Sequence, residues 1–431
     1  MRILTLVALL TAAVHLQQGG LSRIEHQRVK QMLVSIRNEI RKNYYDPSFR
    51  GLDLNQHFKT AEGKLEEATS LGHGMAIIAQ ALLDFDDSHL FFFPPNRTTT
   101  VDYGWVMLMV GNDCYIAGVR PGSDADKKGL VPGTRVVAIE GRKPTRLTLW
   151  KMEYHFYSLS PRPGLRMAVQ VPGQAVREVD VLAKVTQGKR VIDLTDPDGL
   201  DLDHLIREME RDARIASHRF LRIGSTVVWK MPGFDYEPND LDKTATEIFG
   251  SADSLILDMR GNPGGYTKSL ERLASRLFDR DLKIADLQGR KPMKPLLAKK
   301  HNQPFTGKIV ALVDSRSASA AELLARLLQI EKRGTVVGDQ TSGSVMQSYG
   351  YSGQMGAERM IFFGASITNA DVIMTDGKSL EKTGVTPDEL ITPTAEDLAA
   401  GRDPVLARAA AILGVKLDPK TAGTMFPLEW R

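Results

Sequence analysis

Cysteine is almost missing: Cys114 is the only one in 431 residues. An intramolecular disulfide and any thiolate metal cluster are therefore excluded. No His-Glu-x-x-His segment occurs, and the histidines are scattered without metal-ligand spacing, so no metal or other cofactor is implied. The glycine-rich segments match neither the GxGxxG nor the GxxxxGK[ST] phosphate-binding pattern. There is no basic run interleaved with aromatics, and a net charge of +4 is weak for this length, so nucleic acid is not expected as a partner. Beyond the N-terminus no stretch resembles a transmembrane helix, and internal repeats and low-complexity tracts are lacking.

What remains is an ordinary globular composition, 42% apolar and 25% charged, on a chain long enough for two or three domains. The N-terminus reads as an export signal. Met1-Arg2 is a short basic start, and Ile3–Leu16 is an apolar stretch broken by Thr5, Thr11 and His15. Small residues at Thr11-Ala-Ala13 suit a signal peptidase, and the stretch is short for a membrane span. An extracytoplasmic location, periplasmic or secreted, follows, with an uncleaved anchor as the alternative.

Residues 308–322 carry the most chemistry. The apolar run Ile309–Val313 stops at Asp314 and turns through Ser315, Arg316 and Ser317. A helix is then expected, with Ala320, Leu323, Leu324, Leu327 and Leu328 on one face. Ser319 falls at or near its first turn, where backbone N–H groups are unpaired and the helix dipole is positive. A serine there can attack an acyl carbon while the N–H of Ala320 steadies the oxyanion. Ser317 or Ser319 can equally be a plain helix cap.

A second unit of the same kind lies about 60 residues upstream. Ser254–Gly265 is a short apolar strand running into a glycine-rich turn, followed by a helical stretch over Thr267–Leu277. Gly264 and Gly265 leave the backbone bare, so that a substrate carbonyl can approach an N–H. Two strand–turn–helix units predict a βαβ layout with both turns at one sheet edge.

Taken in order, several segments resemble the serine peptidases that include the carboxy-terminal-processing (tail-specific) proteases and the tricorn core protease. They are Asp84–His89, a PDZ-like stretch around Ala125–Gly141, Leu255–Gly265, Ser317–Glu322, Val337–Gly343 and Gly377–Asp388. The resemblance implies an α/β fold: a ClpP/crotonase-like βαβ core, an N-terminal helical subdomain and an inserted PDZ-like β domain. It divides the chain into a signal peptide (1–20), helical subdomain (21–98), PDZ-like domain (99–175), connector (176–216, with a helix near 202–216), peptidase core (217–415) and tail (416–431, loose from Thr421). In the helical part Ile24, Val29, Met32, Leu33, Ile36 and Ile40 form an apolar face.

The tail-specific branch places a lysine base after its Thr-x-Gly turn; Ser344 stands at that position here, and a hydroxyl does not replace an amine. The tricorn-like branch instead implies Ser319 as nucleophile, His89 as base, and Ser88 and Glu381 as its support. The oxyanion hole falls to Gly264 or Gly265 and to Ala320. Lys332, Lys378 and Lys382 are the candidates for a displaced amine base. The implied function is an exported serine endopeptidase forming an acyl-enzyme on peptides or protein C-terminal tails, with the PDZ-like domain gripping a terminus. The alternative is an inactive relative that binds peptides or small apolar ligands.

Overall fold

The computed structural model describes residues 21–95, 99–187, 218–250, 252–356 and 360–430. The expected signal peptide at 1–20 and the expected helix near 202–216 lie outside them.

Ser22 and Glu25 cap each other to start α1 (Arg23–Asn43), which buries Val29, Met32, Leu33, Ile36 and Ile40 at helical spacing. Ile24, expected on this face, is 64% exposed: it sits in the first turn, beyond the neighbours that cover Val29 and Met32. α2 (Leu54–Glu66) begins well before Ala61 because Asp53 accepts the N–H groups of Asn55 and Gln56. With α3 (Leu71–Leu83) these helices pack around Phe58, Leu65, Ile78 and Leu82. The chain then turns through Asp84–His89 into β1 (Phe91–Phe93).

A separate antiparallel sheet follows. Its strands β3 (Trp105–Val110), β4 (Asp113–Val119), β5 (Arg135–Ile139), β6 (Gly164–Gln170) and β7 (Arg177–Leu182) pair in chain order. β3 alternates buried and half-buried residues, which is how one face of a sheet closes a core. The helices α4 (Asp124–Lys127) and α5 (Leu149–Glu153) complete it around Ile116, Leu130, Met167 and Val181. The sheet runs on to Leu182, past residue 175, because the β6–β7 hairpin spans that point. β2 (Thr99–Asp102) and β8 (Lys184–Gln187) pair as a ribbon beside it.

The remainder builds two more sheets. Strands β9 (Arg219–Ile223), β10 (Thr226–Lys230), β11 (Ser254–Asp258), β14 (Lys308–Val313), β15 (Thr335–Gly338) and β18 (Glu389–Leu390) form the central one, ordered β18-β15-β14-β11-β10-β9. Every neighbouring pair is parallel except β10 with β9. Both faces are covered, as an apolar parallel sheet requires. Val227, Leu255, Leu257, Ala311 and Val336 face α6 (Pro238–Phe249), α7 (Thr267–Leu277) and α8 (Ala320–Ile330). Val228, Ile256, Val310, Leu312 and Val337 face α10 (Pro404–Ile412) and α11 (Pro419–Thr424), which follow the short α9 (Ala395–Ala399). Each such fully buried aliphatic side chain contributes about 1.5–3 kcal/mol.

The other sheet holds β12 (Leu282–Gln288), β13 (Leu296–Ala298), β16 (Met346–Met355), β17 (Ile361–Met374) and β1. β17 is its hub: β1 pairs with it at Phe91–Phe93, while Phe363, Ala365 and Ile367 pack into the core of α1–α3. This is what brings the residues just before β1 beside the central sheet.

The segment from Thr421, expected to be loose, is ordered. Ala422 is buried, Leu428 and Trp430 pack on Gly118 of β4, and the Arg120 guanidinium sits 4.9 Å above the Trp430 ring. Arg219 of β9 pairs with Glu429 at 3.3 Å. Buried Ala422 and half-buried Met425, Phe426 and Trp430 hold it down, while Leu428 stays 50% exposed.

Candidate active site

The two strand–turn–helix units end at neighbouring strands, β11 and β14, so their turns meet at the carboxyl edge of the parallel sheet. Ser319 occupies the N-cap position of α8, at φ 56° and ψ −120°. A non-glycine residue there is strained, and it persists because the turn is bonded on all sides. Ser319 N–H donates to Ser344 O and to the Glu322 carboxylate, each at 3.0 Å. Ala318 N–H donates to Asn262 O at 2.9 Å. The Ser319 hydroxyl is not used as a cap: Glu322 N–H bonds to the Ser319 carbonyl instead. Ser317 is the structural serine, buried, donating to Met259 O and accepting from Asp314 N–H, both at 2.9 Å.

The freed Ser319 hydroxyl faces His89, whose Nε2 is 3.3 Å from Oγ. His89 Nδ1 lies 2.8 Å from Ser88 Oγ, and Ser88 Oγ donates to Glu381 Oε2 at 2.7 Å. Glu381 also accepts Ser88 N–H and Val345 N–H, both at 3.0 Å. The direction of this chain follows from chemistry. An ionised carboxylate only accepts, so the Ser88 proton points to Glu381 and Ser88 accepts the Nδ1 proton of His89. Nε2 is then the bare nitrogen, aimed at Ser319. Burial holds the His89 pKa below its ordinary value, with the nearby Asp87 carboxylate opposing the shift, which keeps the ring neutral near pH 7. Burial pushes the Glu381 carboxyl up, against the bonds from Ser88 and Val345 that favour its ionised form.

The glycine turn lies across from this pair. A Cβ on Gly264 would stand 2.6 Å from the Ser319 Cβ, so only glycine permits this approach. Its N–H, however, donates to Asn262 Oδ1 at 2.9 Å, which removes Gly264 as an oxyanion donor. Asn262 needs that bond to stay fixed beneath the turn, where its amide also reaches Met231 O at 3.0 Å. The N–H groups of Gly265 and Ala320 donate to no group among the described residues, and Ala320 is the first residue of α8.

Ser344 donates from its backbone to Glu322 and pairs its hydroxyl with Ser342 at 2.8 Å. Of the candidate amine bases, Lys382 is committed to Asp86 at 2.7 Å and comes only to 3.9 Å of Glu381. Lys332 and Lys378 line clefts that neither Ser319 nor His89 lines.

Three residues of the site were not singled out by sequence. Buried Asp87 accepts His89 N–H at 2.9 Å, Thr368 Oγ1 at 2.8 Å and the Tyr44 hydroxyl at 2.9 Å, anchoring the histidine turn. Asn262 carries the glycine turn. Glu322 accepts from Ser319, Thr341, Gly343 and Ser344, which locks the Ser319 turn to the Thr341–Ser344 turn. All three lie inside the motifs, and the signal was a polar residue retained in an otherwise buried segment.

Residues 226–391 match the model of peptidase family S41, a span from β10 to just past β18. The chain is 24% identical over 299 residues to the carboxyl-terminal-processing protease of Synechocystis sp., covering 68% of this chain and 64% of that one. It is 25% identical over 398 residues to the putative tricorn protease homolog 2 of Streptomyces coelicolor, covering 86% of this chain and 31% of that one. The chain thus spans less than two thirds of the length of either relative. Among solved structures, mature CPAF superposes with a TM-score of 0.64 at 14% identity, over 87% of this chain and 94% of that one, which places both in one mixed α/β fold.

Proposed function

We propose that this chain is an extracytoplasmic serine endopeptidase that cleaves peptides or protein C-terminal tails through an acyl-enzyme. The observation that carries the reading is the continuous path Glu381–Ser88–His89–Ser319, with contacts of 2.7, 2.8 and 3.3 Å. His89 Nε2 takes the Ser319 proton as Oγ attacks the carbonyl, and returns it to the leaving amine. Ser88 and Glu381 hold the tautomer and stabilise the imidazolium. Gly265 and Ala320 N–H groups receive the oxyanion. The 3.3 Å contact is within the looseness expected before substrate binds. An intact relay with its own supporting bonds argues against the alternative of an inactive binding relative.

In this reading the core is ClpP/crotonase-like and the sheet β3–β7 is a PDZ-like module. A cavity of about 380 Å³ between β3 and the carboxyl ends of the central strands, lined by Met107, Met109, Arg260 and Arg316, suits entry of an extended chain. Export rests on the first 20 residues; among the described residues no helix is long and apolar enough to cross a membrane.

Labelling with a fluorophosphonate tests the reading. Wild type is expected to label, and Ser319→Ala and His89→Ala are expected not to. Folded wild type that does not label, or labelling that survives Ser319→Ala, overturns it.

A further inference from the structure

We propose that Asp235 determines specificity, selecting substrates that carry a lysine or arginine side chain near the scissile bond; this rests on the peptidase reading above. After β10 the chain crosses the glycine turn: Phe234 N–H bonds to Gly264 O at 2.7 Å, and Tyr266 N–H returns to Phe234 O at 3.1 Å. Residue 235 is thereby set beside Gly265, the oxyanion donor. Its carboxylate folds back over bare backbone. A Cβ on Gly265 would lie 2.6 Å from Oδ1, and one on Gly233 would lie 3.4 Å from Oδ2.

Among the described residues this carboxylate accepts no hydrogen bond and pairs with no cation. Its pKa is raised by loss of water alone, with no neighbouring charge contributing. The residue is exposed, so water solvates the carboxylate in the free enzyme. Here it also stands next to the place where negative charge develops during acylation, and like charges repel. A cation brought by the substrate relieves that repulsion. The gain is greater in the transition state than in the ground state, because the repulsion it relieves exists only there. The Tyr266 ring, 61% exposed at the adjacent position, offers an aromatic face to the same cation.

The argument gives a signature that a structural aspartate lacks. Asp235→Asn removes the attraction for a basic substrate and also the repulsion felt with a neutral one. Its kcat/KM is expected to fall about tenfold on a basic peptide, and to rise about two- to threefold on its neutral counterpart. The experiment compares full-length wild type and Asp235→Asn on internally quenched peptides. These differ only in one lysine or glutamine, placed in turn at each position flanking the cleaved bond, at low and at high salt. A lysine preference that is lost in the variant and shrinks with salt supports the proposal. Equal rates on both peptides, or a lysine preference unchanged in Asp235→Asn, overturns it. Fluorophosphonate labelling of the same samples separates the two readings. Labelled Ser319 without a charge preference sinks the specificity proposal alone, whereas unlabelled and inert protein sinks both.

Discussion

The two halves of the proposed catalytic site are built differently. The nucleophile half, Ser319 with Gly265 and Ala320, comes from two adjacent parallel strands and the turns that leave them. Its bonds join the turns that leave neighbouring strands, or pass through one buried carboxylate, Glu322. The base half is assembled from remote pieces: Ser88 and His89 precede β1, and Glu381 lies 293 residues later. It is carried by the packing of α1–α3 on β17 and by Asp87, which ties the turn to Tyr44 and Thr368. One half is a rigid product of a sheet edge, whereas the other depends on how two layers dock. The 3.3 Å gap between Nε2 and Oγ is where they meet.

The largest effect should come from cutting each half at its reactive atom. Ser319→Ala and His89→Ala are each expected to lower kcat/KM by roughly 10⁴-fold or more, and the double variant to lose little beyond either single one. Peptide hydrolysis by the three variants checks this. Additive losses would mean that the halves do not act as one unit.

Next in size is the support of the base. Ser88→Ala leaves Nδ1 without its acceptor and Glu381→Gln replaces that acceptor's anion, so losses of about 10²–10⁴-fold are expected, mainly in kcat. Unchanged KM beside the lowered kcat in steady-state kinetics would confirm that the relay acts in the transition state. The acid limb of wild-type activity follows from the histidine. Its pKa is held below the ordinary value, so the base stays neutral and active down to a lower pH than a free histidine allows. A midpoint above 6.5 in the kcat/KM profile would contradict that.

Glu322 sharpens the comparison from the nucleophile side. Its four donors fit an ionised carboxylate, while full burial pushes its pKa up to about 7. The folded state therefore binds a proton that the unfolded state has released above its model value of 4.5, so this group's contribution to stability falls as pH rises toward about 7. Glu322→Gln turns one accepting oxygen into a donor facing N–H groups and should cost about 2–4 kcal/mol. Thermal unfolding across pH should show lower stability, together with loss of this pH dependence.

How much could be read in advance divides along the same line. Strand–turn–helix periodicity located Ser319, Gly265 and Ala320 because their geometry is local: an apolar strand, a turn and an amphipathic helix. The partnership of His89 with Ser88 and Glu381 came through the resemblance, since no periodicity joins residues almost 300 positions apart. Local reading failed where a side chain's partner lay elsewhere in the fold. Gly264 looked like a donor until Asn262 claimed its N–H, and the segment after Thr421 looked loose until β4 and β9 supplied its apolar and charged partners. Ile24 kept the helical spacing but met no neighbour.

The smallest expected effect belongs to Lys382, and it decides whether an amine has any share in the base half. This lysine comes to 3.9 Å of Glu381 Oε1, yet its shorter contact is the exposed Asp86 at 2.7 Å. An exposed pair of that kind contributes about 0–1 kcal/mol, so Lys382→Met should change kcat/KM by no more than about threefold and leave the pH midpoint near that of wild type. If Lys382→Met instead removed activity while His89→Ala retained it, the base would be the lysine, and His89 would be a turn residue held by Asp87.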